Sequence, residues 1–262
     1  MVICQSKEEV KKFSNEIFLG KFKSSKKLVL EEFLDGEEAS YFLIVDKKKF
    51  SFMGSAQDHK RVGENETGPN TGGMGAYSPA PIINKSLEKK IIKKIVKPTL
   101  RALKLKNHPY KGFLYVGLII KNNEPYLIEY NVRMGDPECQ VIMPRLQNDL
   151  VQLLNASVND TLNKIKIKWS EDKCMTTVIC SRGYPNKHIV GKKINLKHVN
   201  LKKKSFIFHA GTKIKDGLLY SNGGRVLNIV TLGNSYLRIR NQIFKIIKTI
   251  NWKYGFFRRD IG

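Results

Sequence analysis

Glu129 and Asn131 stand two residues apart in "YLIEYNVRMGDPE", Tyr126 to Glu138. The stretch opens as a strand-like pattern, and in a strand residues i and i+2 face the same way. Glu129 and Asn131 then share one face, with Ile128 and Tyr130 turned toward a core on the other. A carboxylate and an amide oxygen side by side make a hard-oxygen pair suited to Mg2+, which takes one or two protein ligands and completes its shell with phosphate and water. The same alternation also describes two polar residues on a solvated strand face. The following residues favour chemistry. Arg133 keeps the same parity if the strand continues, where a guanidinium could meet phosphate oxygens in bidentate fashion. Asp136 and Pro137 have the types of an N-cap and a first helical residue, which predicts a helix N-terminus and hence an anion site. A metal pair, a guanidinium and a helix N-terminus within ten residues fit a phosphoryl-transfer centre.

Two further stretches carry candidate residues. In "LEEFLDGEEAS", Leu30 to Ser40, a strand end offers backbone groups that could read the edge of a flat heterocycle, and Glu38 lies past a turn where a carboxylate could bind ribose hydroxyls. The alternative is an acidic surface turn. In "SAQDHKRV", Ser55 to Val62, the residues Asp58, His59, Lys60 and Arg61 could line a polar site, and the nearby "NTGGMG", Asn70 to Gly75, could wrap an anion with backbone N–H groups.

These residues need elements to position them. Residues 27–34 predict a short strand, and 41–54 a hairpin around a lysine-rich turn. Arg61 to Pro81 holds five glycines and three prolines without apolar periodicity, and its Met74, Ala76 and Tyr77 favour a functional loop over a linker. Ile91, Ile92, Ile95, Val96 and Leu103 form a helical stripe that Pro98 should kink or split. A second hairpin, Gly112 to Asn131, turns at Lys121–Glu124. One helix is expected from Pro137 to Ala156, imperfect at Pro144. A domain boundary is expected near residues 163–172, giving domains of 1–165 and 166–262. Beyond it come short strands at Met175–Ser181, Ser205–His209 and Arg225–Thr231. A final helix, Ser235 to Ile250, buries Ile239, Ile243, Ile246 and Ile250. The fold class is α+β.

The 262 residues are 41% hydrophobic and 27% charged, as in a globular protein, with no apolar run of membrane-spanning length and no secretory leader. Four cysteines show neither CxxC nor zinc spacing and read as free thiols in a reducing, cytoplasmic setting. The formal charge of +24 raises the question of nucleic acid. Only 10 of the 47 basic residues are arginine, however, and the lysines lie in short runs along the whole chain ("KFKSSKK", "DKKKF", "LEKKIIKKIVK", "LKKKSF"). That pattern is a general lysine bias, compatible with weak polyanion binding or with an acidic small substrate, and it calls for neither a specific nucleic acid nor a membrane.

"EEFLDGEEAS", "QDHKRVGENETGPNTGGMGAYSPAP", "GFLYVGLII", "IEYNVRMGDPE" and "FHAGTK…NGGRVLNIVTLG" together, and in this order, resemble the phosphoribosylamine–glycine ligase family of the ATP-grasp superfamily. The resemblance covers nearly the whole chain, with Met134 at the apolar position of the Arg-x-Gly-Asp-Pro-Glu element. It implies a partial ATP-grasp domain, an antiparallel sheet with helices, followed by a small β-rich C-terminal domain. It implies an ATP-dependent carbon–nitrogen ligase of purine biosynthesis that joins glycine to 5-phosphoribosylamine through a glycyl phosphate. Its cofactors would be ATP and Mg2+ or Mn2+. By this resemblance Glu31, Glu32 and Leu34 line the adenine, Glu38 the ribose, and Glu129 and Asn131 the metal. Arg133 stabilises the transferring phosphoryl group. Asp58, Lys60, Arg61, Asn70, Gly72, Gly73, Gly75 and Asp136 shape the substrate site. Many ATP-grasp enzymes place another acidic ligand on the preceding strand, where this sequence has "YVGLI" with Gly117 and no acid. The chain opens as the family does after its glycine-rich phosphate loop, so a C-terminal portion is expected, completed by a separate N-terminal polypeptide or inactive alone. The alternatives are a non-catalytic fragment with weak ATP binding and a basic nucleic-acid-binding protein.

Overall fold

The computed structural model describes residues 2–21 and 27–262, which form two units, Met1–Gly36 and Glu37–Gly262. The lysine run from residue 21 to 27 lies mostly outside the described residues. In the first unit, α1 (Lys7–Glu16) starts where Ser6 accepts the Glu9 N–H and the Glu9 carboxylate accepts the Gln5 N–H, a near capping box. The strand expected at residues 27–34 is absent. A strand exists through its ladder, and none of the described residues pairs with this stretch, whose Val29, Leu30 and Phe33 are exposed.

The second unit is built on antiparallel strands. They are β1 (Glu37–Val45), β2 (Phe50–Asp58), β3 (Arg61–Gly63), β4 (Thr67–Asn70), β5 (Gly75–Ser78), β6 (Gly112–Lys121), β7 (Glu124–Asn131), β8 (Lys173–Ser181), β9 (Lys193–Ile194), β10 (Ser205–His209), β11 (Thr212–Lys215), β12 (Leu218–Ser221), β13 (Arg225–Gly233) and β14 (Gly255–Phe256). One nine-stranded sheet runs β10-β13-β8-β5-β2-β1-β6-β7, with β14 beside β8; β11-β12-β9 and β3-β4 form small sheets of their own. The α+β expectation holds. The Arg61–Pro81 loop is more ordered than its composition suggests, because β5 enters the middle of the sheet between β2 and β8.

The helices are α2 (Lys85–Ile91), α3 (Lys97–Leu105), α4 (Cys139–Ile142), α5 (Leu150–Val158) and α6 (Tyr236–Ile250). A π turn, Ile92–Val96, joins α2 to α3, so the missing N–H of Pro98 is absorbed by a wider turn rather than a break. The long helix expected from Pro137 is divided instead. Pro144 falls in a 3-10 turn after α4, and α5 begins afresh where Asp149 accepts the Gln152 N–H. None of the described helices is long and apolar enough to cross a membrane.

Each face of the sheet has its own core. Ala39, Tyr41, Leu43 and Val45 of β1 pack with Leu87, Ile91 and Val96. Phe42 and Ile44, on the other face, pack with Val141, Ile142 and Leu153. Ile239, Ile243, Ile246 and Ile250 close a third core over β8 and β13, as the helical stripe predicted. The β1–β2 register shifts between Phe42 and Leu43, and Gly54 at this irregularity has a φ of +112°. A Cβ there would stand 3.0 Å from Ile142 Cγ2. Gly54→Ala should therefore cost about 1–3 kcal/mol through backbone strain, read as a lower urea midpoint; an unchanged midpoint would mean the bulge relaxes freely.

Candidate active site

The cleft begins where the helical cover of the sheet ends. On β1 the even positions Glu38, Ser40, Phe42 and Ile44 share a face. Phe42 and Ile44 are roofed by α4 and α5, while Glu38 and Ser40 are not. The ladder then sets a row across three strands, with Ser40 opposite Gly117 and Gly117 opposite Glu129. Asp58 on β2, Lys60 beyond it, Tyr115 on β6 and Glu129 on β7 complete the lining of a cavity of about 20 Å³, room for one group the size of a water or an ammonium. Gly117 keeps this space open: a Cβ would meet the Tyr115 hydroxyl at 3.1 Å and Glu129 Cγ at 3.2 Å.

Two carboxylates withdrawn from water stand here, part-buried Asp58 in the cavity lining and buried Glu138 behind Ser40. Glu138, 4% exposed, accepts a hydrogen bond from the Ser40 hydroxyl at 3.0 Å, and Ser40 lies 3.3 Å from the Tyr115 hydroxyl. Asp58 Oδ1 is shielded from solvent and has no hydrogen-bond partner. Burial raises the pKa of both, and for Asp58 the Glu138 charge raises it further. Lys60 opposes them. Burial pulls its pKa down, but the carboxylate of Glu38, 2.6 Å from its Nζ, more than offsets this and holds it protonated.

The glycine-rich loop is pressed onto this group. A Cβ on Gly73, whose φ is +112°, would come within 2.6 Å of Asp58 Oδ1 and 2.4 Å of Pro137 Cδ. Arg225 of β13 clamps the loop from outside, donating to the Gly72 carbonyl at 2.6 Å, the Asp136 carbonyl at 2.7 Å and Asp136 Oδ2 at 3.0 Å. On β7, Asn131 Nδ2 donates to Glu129 Oε1 at 3.0 Å, so the two side chains touch on one face. Their oxygens suit Mg2+ as a two-ligand site, and no group of three His, Cys, Asp or Glu among the described residues offers a fuller one.

Residues 1–139 match the family model for the phosphoribosylglycinamide synthetase ATP-grasp (A) domain, and residues 174–262 match that for its C domain. The chain belongs to the phosphoribosylglycinamide synthetase family. It is 44% identical over 236 residues to the phosphoribosylamine–glycine ligase of Agrobacterium fabrum, covering 90% of this chain and 55% of that one. It is 42% identical over 264 residues to the same-named ligase of Brucella melitensis, covering 100% and 62%. The crystal structure of the Thermotoga maritima phosphoribosylamine–glycine ligase superposes with a TM-score of 0.89 at 32% identity, covering 100% of this chain and 65% of that one. The chain thus spans roughly three fifths of the length of the curated relatives it matches.

The candidate residues read from the sequence divide in the structure. Glu38, Asp58, Lys60 and Glu129 meet in the cleft, and Asn131 adjoins them. Arg133 does not keep the strand parity, since β7 ends at Asn131; its Nη1 donates to the Met134 carbonyl. Asp136 is not an N-cap. Glu138 occupies that position ahead of the four-residue α4, and Asp136 pairs with Arg225 and Gln140 instead. The helix start expected at Asp136 thus lies two residues later, at Glu138. The N–H groups of Asn70–Gly75 form no open nest either: Thr71 N–H bonds the Lys60 carbonyl, Gly72 N–H the Tyr184 hydroxyl, Gly73 N–H the Thr71 hydroxyl, and Met74 N–H the His59 carbonyl. Asn70 pairs with Arg61 across β3–β4, and Arg61 also donates to the Gly68 carbonyl. Gly75 lies in β5, where a Cβ would meet the Thr176 carbonyl at 2.5 Å. Glu31, Glu32 and Leu34 belong to the Met1–Gly36 unit. Ile128, placed in the core by strict alternation, sits at a register shift and is 41% exposed.

Sequence reasoning missed Ser40, Tyr115, Glu138 and Arg225 as site residues. Extending the β1 alternation from Glu38 would have found Ser40. Nothing local marks Arg225. For Asp58, whose Oδ1 is shielded from water and whose pKa is raised, the native state binds its proton more tightly than the unfolded chain, so native stability falls as pH rises above the ordinary carboxylate range. Asp58→Asn should accordingly raise the melting temperature at pH 7, and the gain should shrink as pH falls toward about 4. Each tenfold of tighter native proton binding is worth about 1.4 kcal/mol at neutral pH. Thermal melts of both proteins across that range check this; a gain independent of pH would assign the effect to packing.

Proposed function

We propose that this chain carries the metal and amino-acid side of an ATP-dependent carbon–nitrogen ligase that joins glycine to 5-phosphoribosylamine. The products are glycinamide ribonucleotide, ADP and phosphate, a step of purine biosynthesis. The observation that carries the reading is the meeting of two sets of groups on one face of one sheet: the touching pair Glu129 and Asn131, and the carboxylates of part-buried Asp58 and buried Glu138, both held above the usual carboxylate range. The names of the full-length relatives support the same activity.

The chemistry assigns a task to each. A cavity of about 20 Å³ beside an unpartnered Asp58 oxygen suits the ammonium of glycine. An ammonium restores a partner to that oxygen and offsets the repulsion between the two carboxylates. Ser40 and Tyr115 fix the Glu138 side of the group. The glycine carboxylate attacks the terminal phosphate of ATP, giving glycyl phosphate and ADP. The amine of phosphoribosylamine then attacks the glycyl carbonyl, and phosphate leaves. Glu129 and Asn131 would hold Mg2+ or Mn2+, which neutralises phosphate charge when bound. Arg133, exposed and held by one carbonyl, supplies a guanidinium to the transferring phosphoryl group. Glu38 serves the ribose, and Glu31, Glu32 and Leu34 the adenine. Arg61, Asn70, Gly72, Gly73, Gly75 and Asp136 hold the walls of the acceptor side by the contacts already described.

We read residues 1–165 as the ATP-grasp part and 166–262 as the C-terminal part, a division supported by the two family models on either side of it. The four free cysteines fit a reducing, cytoplasmic setting. Glu129→Ala should abolish the rise in melting temperature given by Mg-ATP and leave the ligand-free melt unchanged, because it removes a ligand from an exposed strand face. An undiminished Mg-ATP shift in the variant would remove Glu129 from the metal site.

A further inference from the structure

A second cavity lies at the far end of β1 from the cleft. Glu38 and Val45 are seven residue steps apart, about 23 Å of extended strand. There the turn of the first hairpin faces α3 across a space of about 260 Å³, close to the lower end of the range for small-ligand pockets. Lys47, Lys48 and Lys49 line it from the turn. Lys97, Arg101 and Lys104 line it from α3, where i, i+4 and i+7 share a helix face. Partly buried Phe50, Leu100 and Tyr110 form its apolar inner wall.

The charge here is not balanced as it is on α2 and the π turn that precede α3. Upstream, Lys90 and Lys94 reach the Glu124 carboxylate at 2.6 and 2.5 Å. None of the six cations around the cavity has an ion-pair partner among the described residues. The one carboxylate of the lining, Asp46, is 4% exposed and accepts N–H bonds from Lys48 at 2.7 Å, Lys49 at 2.5 Å and Leu162 at 3.0 Å. It braces the turn from within, and Asp160, which accepts the Lys47 N–H at 3.1 Å beside the turn, is itself paired with Lys111 at 2.9 Å, so the six cations outnumber the carboxylates around them. Like charges around a concave, partly apolar space raise the local potential and concentrate anions.

We propose that this cavity binds a small anion carrying two or more phosphate groups. A single phosphate engages one bank; a di- or triphosphate reaches the lysine turn and the α3 face together. The site is separate from the cleft and independent of the ligase reading.

The test titrates inorganic tripolyphosphate into the whole chain by calorimetry at about 0.15 M salt, without divalent cations, so that surface charge is screened. A one-site isotherm is expected. Lys97→Glu with Arg101→Glu, or Lys48→Gln with Lys49→Gln from the other bank, should each weaken it by roughly tenfold or more. Lys213→Glu with Lys215→Glu on exposed β11 should leave it unchanged. Near-ultraviolet circular dichroism checks each fold, and the two banks give independent variants should one pair misfold. Equal weakening by the β11 pair would reduce the site to diffuse charge, and no one-site binding would overturn it outright. Tighter binding of a single-stranded oligonucleotide, lost in the same variants, would replace the small ligand with nucleic acid.

Discussion

Everything at the cleft depends on the register of β1 against β6 and of β6 against β7. Ser40 stands opposite Gly117, and Gly117 opposite Glu129. Because side chains alternate with a period of two, a slip of one residue would turn Glu38 and Ser40 into the helix-covered core and expel Tyr41 and Leu43. The fully buried Tyr41, Leu43, Phe42 and Ile44 make that slip costly from both faces at once. The polar row is thus held in place by the apolar residues between its members. Gly117 has the complementary task, since any side chain there would fill the space that Tyr115 and Glu129 share.

The electrostatics of the site run against stability. Asp58 and Glu138 are carboxylates largely withdrawn from water, each made harder to ionise by burial, and one Asp58 oxygen has no hydrogen-bond partner. A structure built only for stability would replace them with apolar groups. Their surroundings limit the damage without cancelling it: Lys60 supplies a positive charge, Ser40 a hydroxyl, and Arg225 neutralises the neighbouring Asp136. The remaining deficit is what a cationic ligand group would relieve. The ordinary surface pairs of this lysine-rich chain, such as Lys204 with Asp172, have no comparable leverage in water.

Legibility in the sequence followed the range of the interaction. The two hairpins, the final helix and the adjacency of Glu129 and Asn131 were readable because periodicities of 2.0 and 3.6 are local properties. The hairpin turn expected at Lys121–Glu124 is formed, with Asn122 and Asn123 both at positive φ. Residues 27–34 show the limit of that logic: the composition of a strand does not supply a partner. Arg133 and Asp136 depart from the local pattern because β7 stops at Asn131 and a turn intervenes before α4, so neither a continuing strand nor an immediate helix start sets their directions. Arg225 lies 89 residues from Asp136 and 153 from Gly72, and no spacing rule connects them.

The continuity of the nine-stranded sheet explains why the cleft and the C-terminal part depend on each other. Residues Gly75–Ser78 of β5 pair with Cys174–Thr177 of β8, while Tyr77 and Ala76 pair back to Gln57 and Asp58 of β2. The strand that carries Asp58 is therefore linked to the C-terminal strands through one four-residue element. Without β8, β5 would become an exposed edge with unpaired backbone groups, and the glycine-rich loop would lose its outer support. Arg258, 2% exposed, reinforces the same connection by joining Glu66 at 2.7 Å, Asp260 at 2.6 Å and the Arg61 carbonyl at 3.0 Å. Its pKa is raised because these acceptors outweigh its burial, so its charge is fixed at any working pH. The segment that shapes the cleft is thus held at both ends by residues from the C-terminal part, and a cut through the sheet would cost the site its geometry even with every cleft residue still present.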